Sequence, residues 1–177
     1  MSISAEVKGL KEVQAKMEQI VRDLSGKPMV NAMRDATLVV ERSAKQNSPV
    51  DTGRLRASIV PEVIGRDKEV QGIVGSNVKY APFMELGTRP HWPPLESIIA
   101  WVHRKQMTGT YSIKTHRRMG SKTTQEGQDR ATAFLIARAI SRRGTKALRY
   151  LGRAIDDNRE KIHDILSRAV ETIVRKR

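Results

Sequence analysis

Four histidines, His91, His103, His116 and His163, are the side chains of this 177-residue chain best suited to hold a metal or carry a proton near neutral pH. They are scattered. No two stand four residues apart as a helical zinc pair would, and no carboxylate cluster accompanies them. Ordinary surface or hydrogen-bonded histidines are the expectation. Cysteine is absent, so neither a disulfide framework nor a thiolate metal site can form. Serine and threonine are plentiful, yet there is no Gly-x-Ser-x-Gly elbow and no phosphate-cradling Gly-x-x-x-x-Gly-Lys loop. Val50-Asp51 followed by Glu62 has the carboxylates of a metal-dependent nuclease, but the basic partner expected two residues later is replaced by Ile64. A small basic ribonuclease would need a convergent His, Glu or Arg set that spacing alone does not show. The residues therefore name no catalytic group, no metal ligand and no cofactor site, and the expectation is a protein without enzymatic activity.

Charge is more informative. The chain carries 33 Lys plus Arg against 19 Asp plus Glu, a net of +14. Residues 1–100 hold 14 basic and 12 acidic side chains, a net of +2, whereas residues 101–177 hold 19 and 7, a net of +12. A balanced first half suits protein contacts; a cationic second half suits a polyanion, or else is the solubilising face of a long helix. Readout motifs for nucleic acid are missing: there is no zinc-finger spacing, and aromatics at 4 % are too sparse for base-stacking platforms. A helix-turn-helix can be drawn through Ala131 to Leu151, around Gly144, on geometry alone.

The elements that must position these residues read as follows. Val7, Leu10, Val13, Met17, Ile20, Val21 and Leu24 recur at helical spacing, and Gly26-Lys27-Pro28 separates that helix from a second one carrying Met29, Met33, Ala36, Val40 and Ala44. Asn47-Ser48-Pro49 breaks the pattern, and Asp51 or Thr52 can cap a short turn through Arg54-Leu55-Arg56. Residues 58–64 and 70–76 are rich in Val and Ile around Gly65-Arg66-Asp67-Lys68, which predicts a hairpin, with Gly72 and Gly75 marking a bulge or a close backbone approach. Residues 80–86 form a short apolar turn ended by Gly87, a residue suited to a left-handed cap. Helices follow over 95–105 and 131–142, separated by a basic flexible loop at about 106–126, and a long amphipathic helix is expected at about 147–175, interrupted near Asp156-Asp157-Asn158. The expectation is one α+β domain over 1–177: an N-terminal helical pair, a small antiparallel sheet and C-terminal helices. Apolar runs fall far short of the ~20 residues a membrane span needs, and the start lacks a secretory pattern, so a soluble protein is expected.

Two segments spend turn-forming residues and paired charge together: Ser48-Pro49-Val50-Asp51-Thr52-Gly53-Arg54-Leu55-Arg56-Ala57-Ser58-Ile59, and Gly75-Ser76-Asn77-Val78-Lys79-Tyr80-Ala81-Pro82-Phe83-Met84-Glu85-Leu86-Gly87-Thr88. If the intervening strands pair, the two turns approach, and Glu85 could accept a bidentate contact from Arg54 or Arg56. Together they resemble the phage neck or tail-completion family, the "gp-ten" family of phage morphogenesis proteins, similar to the lambda minor tail protein Z. The family pattern Pro-Val-Asp-Thr-Gly-x-Leu-Arg-x-Ser-Ile matches residues 49–59, and Tyr-Ala-x-x-x-Glu-x-Gly-Thr matches residues 80–88. Ala137-Arg138-Ala139-Ile140 through Gly144-Thr145 looks like longer members.

The resemblance implies a non-catalytic virion component of a long-tailed phage. It would form a homo-oligomeric ring, six-fold like the tail, at the head–tail junction, with DNA passing sequence-independently through its channel. Head-closure or adaptor proteins and tail-terminator or tail-tube proteins would be its partners, with no membrane involved, and assembly would take place in the host cytoplasm. Asp51, Thr52, Arg54, Arg56, Tyr80, Glu85 and Thr88 are the expected subunit or partner contacts, and Lys114, His116, Arg117, Arg118 and Lys122 the expected contacts to DNA or a neighbouring ring. A basic DNA-binding protein, or a tail-terminator or head-closure subunit, are the alternatives.

Overall fold

A computed structural model describes residues 9–66, 69–107, 110–111, 118–119 and 125–176. The fold is α+β. Its elements are α1 (Leu10–Leu24), α2 (Lys27–Asn47), α3 (Arg54–Ser58), β1 (Ile59–Arg66), β2 (Glu69–Ser76), α4 (Ala81–Leu86), α5 (Leu95–Arg104), β3 (Thr110–Tyr111), β4 (Arg118–Met119), α6 (Gln125–Arg143), α7 (Tyr150–Asp156) and α8 (Arg159–Arg175). The chain divides into two compact units, the first made of residues 1–81 and 149–177, the second of residues 82–148.

In the first unit α2 is the hub, touching both hairpin strands, α7 and α8. Gly26 is its N-cap and Pro28 lies in its first turn, where a missing amide hydrogen does no harm. Its buried positions are mostly small: Ala32, Ala36, Thr37, Val40 and Ala44. That lets neighbouring backbones come close. β1 and β2 pair antiparallel from Ile59↔Ser76 to Arg66↔Glu69 without interruption, so the ladder holds no bulge. A Cβ on Gly72 would sit 2.5 Å from Thr37 Cγ2 and 2.8 Å from Met33 Sδ. Gly72 thus marks a close approach of strand to helix. Gly75 meets nothing within 4 Å and has no such role.

The C-terminal segment is two helices, since α7 ends at Asp156 and α8 begins at Arg159, with Asn158 N-capping the second and donating its Nδ2 amide to the Ala154 carbonyl at 2.8 Å. Tyr150, Ala154 and Ile173 are buried here. α1 touches α2 and α8, yet Leu10, Val13, Met17 and Val21 stay exposed along its length.

In the second unit α5 and α6 pack together around Val102, Asp129, Ala133 and Ala137, all buried. α6 starts at Gln125, several residues before the periodic apolar pattern begins, and Asp129 in its second turn is buried and bonded to His103. The α6–α7 junction is not the tight turn of a helix-turn-helix. Residues 144–148 run out of α6 into a bridge with Thr88, and α6 and α7 belong to different units.

Candidate functional site

The first segment singled out from sequence, residues 48–59, becomes a bend leading into α3 and directly on into β1. Its helix begins one residue later than a capping Thr52 would set it and two later than a capping Asp51 would: the N-cap is Gly53, at φ 80, which has no side chain to offer. The Gly53 carbonyl accepts from the Ala57 amide at 2.9 Å. Asp51 and Thr52 are exposed, Leu55 and Ile59 are buried, and Arg54 and Arg56 point outward between them.

The second segment leaves β2 beside the same corner. Ser58 Oγ and Ser76 Oγ lie 2.7 Å apart, the Val78 amide donates to Ser76 Oγ at 3.2 Å, and the Ala81 amide donates to the Val78 carbonyl at 2.9 Å. Val78 and Ala81 are buried against this frame. The result is a shallow cavity of about 550 Å³ lined by Arg54, Ala57 and Ser58 from one segment and Asn77, Val78, Lys79 and Tyr80 from the other. Two cations and a phenol around an apolar floor can receive a carboxylate-bearing side chain of another protein. Arg56 faces elsewhere, its Nη2 donating to the Ser48 carbonyl at 3.5 Å.

Residues 11–87 match the family model described as "Bacteriophage HK97-gp10, putative tail-component". Over these residues, less than half of the chain, the sequence is similar to that phage tail-component family. No curated protein and no solved structure gives a significant match. The matched residues take in α1 except Leu10, then α2, α3, the hairpin and α4, and so both blocks of the motif except Thr88.

The end of that segment is where the structure supplies what spacing could not. Gly87 (φ 75) and Gly144 (φ 71) are both left-handed, and they bring Thr88 and Thr145 into an isolated antiparallel bridge. The Thr88 amide donates to the Thr145 carbonyl at 3.1 Å and the Thr145 amide returns to the Thr88 carbonyl at 3.3 Å. Their hydroxyls meet at 2.9 Å, and the Leu148 amide donates to the Met84 carbonyl at 3.0 Å. A Cβ on Gly144 would overlap the Thr88 carbonyl, and one on Gly87 the Thr145 carbonyl. Two Gly-Thr dipeptides 57 residues apart thus clasp the entry and exit of the second unit. Gly-Thr also occurs at residues 109–110, so the dipeptide alone does not identify the pair.

Of the remaining residues expected at contacts, Glu85 lies half-buried in α4, in the second unit, while Arg54 and Arg56 belong to the first. Lys114, His116, Arg117 and Lys122 fall outside the described residues, and Arg118 is described only as backbone of β4. His103 has a partner that sequence did not reveal: its Nδ1 lies 2.8 Å from Asp129 Oδ2. Asp129 is only 2 % exposed and its Oδ1 has no hydrogen bond. Among the described residues no group of His, Asp or Glu is arranged to hold a metal ion, and no helix is long and apolar enough to cross a membrane.

Proposed function

We propose that this chain is a structural, non-catalytic subunit of the phage neck, forming a ring at the head–tail junction through which DNA passes. The observation that carries the reading is the corner where the two halves of the tail-component motif meet. Buried Leu55, Ile59, Val78 and Ala81 fix it, and it presents Arg54, Lys79 and Tyr80 outward. A rigid frame that displays cations and an aromatic ring around a shallow apolar floor is built to dock protein. Asp51 and Thr52, exposed on the bend before α3, extend the contact to copies of the chain and to head-closure and tail-terminator proteins, and Arg56, exposed on another side of α3, offers a further one. The basic segment with Lys114, His116, Arg117, Arg118 and Lys122 faces the DNA channel or a neighbouring ring, where counterion release favours cationic side chains irrespective of base sequence.

Imaging of the parent particle tests the reading, with density for this chain expected in a ring at the head–tail joint. In a phage lacking the gene, filled heads and finished tails should accumulate unjoined. The Arg54→Ala/Tyr80→Ala variant, its folding checked by circular dichroism, should restore few infectious particles. Full infectivity from that variant, or particles with no copy of the chain at the joint, would overturn the proposal.

A further inference from the structure

The second unit has a surface that neither the motif nor the family match accounts for. Trp92 and Phe134, 54 % and 47 % exposed, meet edge-to-face with ring centroids 5.7 Å apart. Beside them a cavity of about 530 Å³ is lined by Leu95, Ala131, Phe134 and Leu135, with Arg130 at its rim. Arg130, Phe134 and Arg138 succeed each other at four-residue steps along α6, and all are exposed, so they share one face. Large apolar rings framed by arginines have the composition of a binding hot spot, and protruding Phe and Leu side chains gain nothing from a DNA backbone. A second patch of the same kind would be repelled by its arginines. The partner must be apolar and acidic.

This chain offers such a surface on its own hairpin. Gly65 and Gly72 face α2, so β1 turns Val60, Glu62 and Ile64 outward and β2 turns Glu69, Gln71 and Ile73 outward. Val60 and Ile73 are 58 % and 45 % exposed. In the register Glu62 stands opposite Ile73, and Glu69 is four residues further along β2, which spaces the carboxylates by about 13 Å, with Ile64 at the level between. Arg130 and Arg138, eight residues apart on α6, are spaced by about 12 Å, with Phe134 between. None of Glu62, Glu69, Arg130 and Arg138 takes part in an ion pair among the described residues.

We infer that the outer face of the hairpin of one copy docks on the Trp92–Phe134–arginine patch of the next copy. Pairing of the arginine patch with itself opposes like charges, whereas the carboxylates and apolar side chains of the hairpin complement it. Such a contact is heterologous, and repeated head to tail it generates a ring when the rotation closes. The inference rests on the ring reading above and names the surfaces that would join its subunits.

A chain without cysteine permits a direct test. The full-length Ile64→Cys/Phe134→Cys variant, which joins the two midpoints, is oxidised and compared with each single variant on a non-reducing gel. The double variant is expected to give a ladder up to the size of the closed ring, and each single variant nothing beyond a dimer. In addition, Glu62→Arg should weaken self-association about tenfold, as reversal of one complementary contact does, and Arg138→Glu in the same chain should restore most of it. Wild-type oligomers by light scattering with no ladder from the double variant would overturn this contact and leave the ring in place, the patch then serving a different protein. A wild-type chain that stays monomeric at every concentration, with no ladder and no ring in the particle, would overturn both.

Discussion

Gly53 and Gly144 are both left-handed, at φ 80 and φ 71, and sequence alone ranks them equally. Their surroundings separate them. Nothing lies within 4 Å of a Cβ at Gly53, whereas one at Gly144 would overlap the Thr88 carbonyl that closes the clasp. Gly53→Ala should therefore cost only the left-handed penalty, ~1 kcal/mol. Gly144→Ala should cost at least ~3 kcal/mol, since strain and loss of the bridge add; urea midpoints measure both. His103 poses a different question, because spacing gave it no partner. Its removal leaves the Asp129 carboxylate buried with no hydrogen bond from His103, and His103→Ala should lower stability by ~1–3 kcal/mol. A midpoint unchanged from wild type would show that the histidine contributes nothing.

Among the elements, the hairpin shows how tertiary contact reverses a local preference. Valine favours strands and glycine weakens them, so local propensity favours Val at both Gly72 and Gly75. Gly75 lies on the outer face with open space around it, and Gly75→Val should be neutral or stabilising by up to ~1 kcal/mol. Gly72 lies against Met33 and Thr37 of α2, and Gly72→Val should destabilise by ~1–3 kcal/mol through overpacking. Opposite signs from the same substitution, measured by denaturant titration, are the expected result. Periodicity disclosed α1, α2, α5 and the hairpin because one face of each is apolar. It understated α6, whose buried stripe is Asp129, Ala133 and Ala137 and so carries little hydrophobic signal.

At the level of the whole molecule, the HK97-gp10-like segment, residues 11–87, does not complete its own unit. α7 and α8 return from the far end of the chain to cover α2, bringing Tyr150, Ala154 and Ile173 into the core. Removal of residues 149–177 should strip that cover and abolish cooperative unfolding of the first unit, with dye-binding apolar surface exposed. A truncated chain that still melts in one sharp transition, followed by circular dichroism, would contradict this architecture.

Composition, turn residues and apolar periodicity were enough to reveal the α+β class, most helices and the hairpin, because all of these depend on neighbours within a few turns of chain, and the two motif blocks stand in the sequence as they are, carrying the resemblance to a phage tail-component family. The pairing of Gly87-Thr88 with Gly144-Thr145, the burial of Asp129 against His103, and the cavity that Arg54 and Tyr80 both line depend on residues brought together from distant positions. Only the folded chain decides those, since a backbone bridge or a buried carboxylate gains its stability from partners that sequence spacing does not identify.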